Sequence, residues 1–374
     1  MRDAKTRTLL LSLSPIRGAR MSSSDFDTVV YVANAGDGTI GSYRLHREHG
    51  RLEPLTTTPA AENVMPLAIS PDRRCLYAAI RSQPLRVLSY RIEDDGALTP
   101  LGSGRLDGSM AYIATDRSGR HLLAASYGDS VVSVSPIGAD GVAGDASQTC
   151  PTGSRAHAIL ATPDDRHVLA TNLGDDRLAQ FRFDGQLTSN TPEAAATDAN
   201  VGPRHFVFSP CGRFVYVLGE FDASVTTFAL DADSGTLSRL DVCAGLPPES
   251  ELARGMPREE IPAGDDTPRI WAADMHISPD GRHLYLSERT TSTLSILRAD
   301  PESGSLTFIG NQPTVAQPRG FEIDPQGEFL VVAGERSDHL ALYRVDAASG
   351  ELTHASDAPA GNKANWIEIV TLAR

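Results

Sequence analysis

The chain has 374 residues, of which 40% are hydrophobic and 22% charged, enough to bury a large core. Its 48 acidic residues outweigh 34 Lys and Arg for a formal net charge of −14, which argues against nucleic-acid and anionic-membrane partners. Cys75, Cys150, Cys211 and Cys243 lie far apart without a CxxC pair, a usage that fits a reducing cytoplasm and neither a disulfide framework nor a zinc site.

Residues 1–26 open the chain with basic residues and a short apolar run, Leu9–Leu13. The run is too short to span a bilayer. This segment is read as a disordered extension or a start placed too early, because Met21 leads directly into the first strand. Residues 27–374 are expected to form one domain.

Within that domain a hairpin recurs. In chain order it reads "AISPDRRCLYAAI" from Ala68, "IATDRSGRHLLAAS" from Ile113, "LATPDDRHVLATN" from Leu160, "VFSPCGRFVYVLG" from Val207, "HISPDGRHLYLSE" from His276 and "EIDPQGEFLVVAG" from Glu322. Each copy is an apolar strand, a turn built from Pro, Asp or Gly, and a second strand rich in β-branched and aromatic residues. The copies recur about every 46 residues, with one longer gap between the fourth and fifth. A third strand follows each hairpin, as in "VLSYRI" and "LALYRV", and ends in a second turn such as "EDDGAL" or "DPESGSL".

Seven of these second turns can be found against six of the first. The termini account for the difference: "NWIEIV" (Asn365–Val370) is a first strand with nothing after it, and "TVVYVAN" (Thr28–Asn34) a second strand with nothing before it. The expected fold is therefore all-β, a seven-bladed propeller of four-stranded antiparallel blades, closed by pairing the two chain ends in one blade.

In such a ring, the starts of the first strands and the ends of the second strands surround one mouth. Those positions hold His157, Arg204, Arg319, Tyr127, Glu220 and Arg289, with Asp274 and His276 just inside the rim. Arg81 and Glu335 share these heights and are read as ordinary solvated residues. His121, His167 and His283 follow the hairpin turns and are read as surface residues, while His205 alternates to the strand face opposite Arg204. So many cations in a partly enclosed funnel imply an anionic small molecule held by guanidinium forks. The long gap, Val242–Arg269, joins one blade to the next on the mouth side and is a candidate lid. No GxSxG elbow, HExxH, P-loop or GxGxxG is present, so neither a metal nor an organic cofactor is expected.

At "GPRHFVFSP" (Gly202–Pro210), "WAADMHISPDGRHLYLSERT" (Trp271–Thr290) and "QPRGFEIDPQGEFL" (Gln317–Leu330), the sequence resembles the seven-bladed propeller lactonases. That family includes bacterial cytosolic 6-phosphogluconolactonases and, as a relative, a fungal carboxy-muconate cyclase. The resemblance implies His157 in "RAHAI", Arg204 in "GPRH", Glu220 in "VLGEFDASV" and Arg289 in "SERT" as catalytic residues. It implies hydrolysis of 6-phospho-glucono-1,5-lactone, a small anionic sugar lactone; separately, a monomer or weak homo-oligomer is expected. Glu220 is expected as general base, with His157 as alternative base or as the acid. Arg204 would stabilise the oxyanion, and Arg289 and Arg319 the phosphate, with Asp274, His276 and Tyr127 as further substrate-binding positions. A muconate-type cycloisomerase and a non-catalytic scaffold propeller are the alternatives.

Overall fold

The computed structural model describes residues 26–373; the expectation for the N-terminal extension otherwise lies outside the described residues. Seven four-stranded antiparallel sheets make up the ring. From the channel outward, blade 3 runs Ala156–Ala161, His167–Asn172, Arg177–Phe183 and Leu187–Ala196, and blade 4 runs Pro203–Phe208, Phe214–Gly219, Ser224–Asp231 and Thr236–Ala244. Blades 1, 2, 5 and 6 begin with inner strands Val64–Ile69, Met110–Thr115, Ala272–Ile277 and Pro318–Ile323. Blade 7 is the composite one. Its innermost strand, Ala364–Ala373, pairs antiparallel with Phe26–Asn34, opposing Val30 to Ile369 and Val32 to Ile367. The ring thus has no open edge at the seam, as the unequal turn counts predict.

The second strand of each blade is buried on both faces, because neighbouring blades cover it on either side. Phe214–Gly219, His283–Glu288 and Phe329–Gly334 are buried at every position. Between blades 4 and 5, for example, Tyr216 and Leu218 meet Leu284, Leu286 and Leu297 in one cluster. The two kinds of turn meet across these seams. Tyr31, Tyr77 and Tyr285, all buried second-strand residues, donate their hydroxyls to the carbonyls of Gly96 (3.1 Å), Gly141 (3.1 Å) and Gly350 (2.8 Å) in the following blade. Gly350 has φ of +79°, and a Cβ on it would sit 2.4 Å from His283 Cδ2. Only glycine fits there without strain. The histidines read as surface residues at this end are therefore displaced in part: His283 and His167 are buried beneath the turn glycines Gly350 and Gly235, and His121 is half-buried.

Every blade carries a register shift where its inner strand begins, for example between Pro203 and Phe206 and between Ala272 and Met275. Two inner-strand residues there oppose one on the second strand, a β-bulge that breaks strict alternation. The unpaired backbone groups find side chains: Thr171 Oγ1 accepts from Ala158 N (2.9 Å) and donates to Arg204 O (2.7 Å), and Ser287 Oγ accepts from Asp274 N (3.0 Å). These bulges face the channel at the height where the functional side chains gather. Among the described residues, no helix is long and apolar enough to cross a membrane.

Candidate active site

A cavity of about 250 Å³ opens at this mouth. The inner-strand starts of blades 3, 4 and 6 supply His157, Arg204 and Arg319; the ends of the second strands of blades 1, 2, 4 and 5 supply Arg81, Tyr127, Glu220 and Arg289. Six of the eight predicted site residues thus line one cavity. Asp274 and His276 do not. They lie along the channel and line a second cavity of about 220 Å³ with Glu322 and Glu368. Arg81, read from sequence as an ordinary solvated residue, is on the mouth wall, and Glu335 pairs there with Arg319 at 3.0 Å.

Glu220 is the electrostatic centre of the mouth. Its Oε1 accepts from Arg289 Nη2 at 2.7 Å, and its Oε2 lies 3.0 Å from Arg204 Nε in an ion pair whose N–H is not aimed at the oxygen. All three residues are buried. Burial alone would raise the Glu220 carboxyl, but Arg289 and Arg204 outweigh it and hold it below the ordinary carboxylate value. Burial, with Arg204 and Arg319 opposing the help of Glu220, brings Arg289 down to about 9. It remains a cation at neutral pH. Arg289 also donates Nε to Trp271 O (2.9 Å) and Nη2 to Ala272 O (3.0 Å), so its guanidinium is fixed at three acceptors.

Its neighbour Glu288 is not part of the mouth. It is buried and caps the local turn, accepting from Trp271 N (2.7 Å) and from Thr291 N and Oγ1.

His157 faces this cluster. Burial, then the Arg204 charge, then His205, push its pKa well below the usual imidazole range. The ring is therefore neutral at pH 7, and its buried Nδ1 has no hydrogen-bond partner among the described residues. Tyr127 approaches it edge-on, with ring centroids 6.1 Å apart.

Arg204 is tied into a chain that strict alternation hides. The bulge turns His205 inward beside it: Arg204 Nη1 lies 3.1 Å from His205 Nε2 and also donates to Ala273 O. His205 Nδ1 in turn lies 2.7 Å from Asp274 Oδ1, and Asp274 Oδ2 lies 3.4 Å from His276 Nε2. His276 Nδ1 closes the chain on Glu322 at 3.2 Å. Burial and the Arg204 charge bring His205 down to about 4 despite Asp274. Neutral His205 thus donates Nδ1–H to Asp274 and accepts from Arg204 at Nε2. His276 has the opposite balance: Glu322 and Asp274 overcome burial and raise it well above the usual range. An anchored Arg204, an engaged Glu220 and an unengaged neutral imidazole can together polarise a carbonyl and take a proton from water.

The connector between blades 4 and 5 was expected on the mouth side. It runs there: Pro257, Arg258 and Glu259 join the cavity wall. A 3-10 turn spans Arg258–Glu260, and the Arg258 guanidinium lies 3.4 Å from the Trp271 ring centroid. Arg269 lies away from this wall and pairs with Asp265 at 2.7 Å.

Comparison with known proteins points the same way. The lactonase family described as "Lactonase, 7-bladed beta-propeller" matches residues 29–369. A protein of Pectobacterium carotovorum named 6-phosphogluconolactonase is 40% identical over 79% of this chain and 84% of its own length; its counterpart in Pectobacterium atrosepticum is 38% identical over the same shares. The crystal structure of the periplasmic gluconolactonase of Pseudomonas aeruginosa superposes with a TM-score of 0.81 at 25% identity, covering 93% of this chain and 99% of the other. The chain belongs to the seven-bladed β-propeller lactonases.

Proposed function

We propose that this hydrolase opens 6-phospho-glucono-1,5-lactone to 6-phosphogluconate at the mouth cavity, as the name of its Pectobacterium relatives implies. The observation that carries the reading is the arrangement around Glu220. Two buried guanidiniums share one carboxylate, and a neutral imidazole faces them in a cavity whose wall holds more Arg than Glu.

Water attacks the lactone carbonyl, and its proton passes to His157. The developing oxyanion is met by Arg204, a contact of the type worth roughly 3 kcal/mol. The tetrahedral intermediate then collapses with cleavage of the bond between C1 and the ring oxygen. The leaving alkoxide takes the proton back from His157, and the new acid ionises to a carboxylate. The sequence gives Glu220 first claim as base. Its two ion pairs favour a different role, holding Arg204 and Arg289 together, and the base role passes to His157. Arg289 is likewise engaged at three acceptors, which leaves the phosphate to Arg319 and the cations around it. The four free thiols support the cytoplasm as its compartment.

The test generates the lactone with glucose-6-phosphate dehydrogenase and reports its opening with excess 6-phosphogluconate dehydrogenase. The protein should raise the rate above spontaneous opening and leave cis,cis-muconate unchanged. Turnover of the muconate without any effect on the phospholactone would favour the cycloisomerase instead.

A further inference from the structure

Of the five guanidiniums on the mouth wall, Arg204 and Arg289 are engaged by Glu220, Arg319 by Glu335, and Arg81 donates to Ser109 Oγ at 3.0 Å. Arg258 differs from all four. It comes from the connector and not from a blade, it is exposed, and its neighbouring carboxylates turn away from it. Glu259 and Glu260 both reach Arg155 Nη2 of blade 3, at 3.0 and 2.8 Å. What holds Arg258 is the face of Trp271, at 3.4 Å, and the same ring carries Arg289 at 3.8 Å. A guanidinium stacked on an aromatic face keeps its N–H edge free for an anion. Two cations on one ring also favour an anion placed beside them.

The connector is held in this position from both ends. At its neck, Gly255 N donates to Phe221 O (2.7 Å), and Ile270 N to Ala253 O (2.8 Å). A Cβ on Gly255 would sit 2.3 Å from Ile270 O, so the neck closes only with glycine. At its far end stands the Arg155 latch. The segment is therefore a strap from blades 4 and 5 to blade 3, with Arg258 on its inner side.

We propose that Arg258 reads the 6-phosphoryl group, so that the strap sets the preference for phosphorylated over unphosphorylated sugar lactones. The inference rests on the phospholactonase reading of the mouth. With the carbonyl at Arg204 and His157, the phosphoryl group lies under the strap, between Arg258 and Arg319. The latch has its own part: by drawing Glu259 onto Arg155, it keeps a wall carboxylate off the phosphate.

The experiment compares wild type, Arg258→Ala and Arg155→Ala on two lactones, 6-phospho-glucono-1,5-lactone and glucono-1,5-lactone, and measures the affinity for 6-phosphogluconate and gluconate by calorimetry. In Arg258→Ala, the phospho-to-unphosphorylated ratio of kcat/KM should fall roughly 10–100-fold, the loss of one charge-assisted hydrogen bond. The ratio of product affinities should fall in parallel. Arg155→Ala should show a smaller loss, carried by KM. Ratios within twofold of wild type in a folded Arg258→Ala protein would overturn the proposal. If wild type opened neither lactone, the lactonase reading would fail, and the product-affinity ratio would still decide the role of Arg258.

Discussion

Replacing Glu220 with Gln separates two accounts of the mouth. Its carboxylate stands between Arg204 and Arg289, which are 2% and 4% exposed. Gln keeps the shape and removes the charge, leaving two buried cations beside each other with no anion. Breaking a buried pair in this way costs about 3–5 kcal/mol, a fall in Tm of roughly 4–7 °C for a domain of this size. Arg204 would also lose its aim, and an oxyanion donor is worth about 10²–10³ in kcat. Thermal unfolding and the coupled assay read both effects. Inorganic phosphate should restore part of the lost Tm, because an anion in the mouth replaces the missing charge. If Glu220 were the base, the variant would lose turnover at unchanged Tm, and phosphate would not stabilise it more than wild type. That result would refute the clamp.

Other substitutions probe the remaining parts. His157→Gln should lower kcat by roughly 10²–10⁴ with little change in Tm, and should abolish the acid limb of the kcat/KM profile, which in wild type lies below pH 6.5 because the imidazole pKa is depressed. His205 is neutral when folded and titrates near 6.5 when unfolded, so the unfolded chain binds the extra proton in between. Its contribution is present above pH 6.5 and lost as pH falls toward about 4; chemical denaturation of His205→Gln should show a shallower loss across that window. Asp274→Asn interrupts the chain that positions Arg204 through His205. It should reduce kcat on the order of 10²-fold with KM nearly constant, and an unchanged kcat would remove Asp274 from the positioning chain. Gly350→Ala should destabilise by more than about 1 kcal/mol in urea, since φ is +79° and His283 occupies the space for a Cβ.

Where the architecture was legible in sequence, repetition made it so. One hairpin with Pro, Asp and Gly in fixed places, copied around the ring, identifies the blades, and the unpaired strands at the two termini identify the seam. The same register places His157, Arg204, Glu220, Arg289, Arg319 and Tyr127 at one height, and they line one cavity. The misreadings have separate causes. Alternation puts His205 on the wrong face because it assumes a period of two, and each inner strand begins with a bulge that breaks it. His167 and His283 follow turns that look exposed within one blade and are covered by a glycine turn of the next. A pattern read along one blade does not contain its neighbour. Sequence offers Glu220 as a base because it gives position and not partners; the structure adds its pairing with two arginines from separate strands. Among the described residues, Arg258 lies in the connector, which has no periodic counterpart, so no register locates it.

The central claim is that lactone opening occurs at this mouth and depends on Arg204. The most direct test compares wild type and Arg204→Ala in the coupled phospholactone assay, with the spontaneous rate subtracted and folding checked by thermal unfolding. The structure predicts acceleration by wild type and a loss of about 10²–10³ in kcat in the variant. A folded Arg204→Ala protein as fast as wild type would place the chemistry elsewhere and contradict the account.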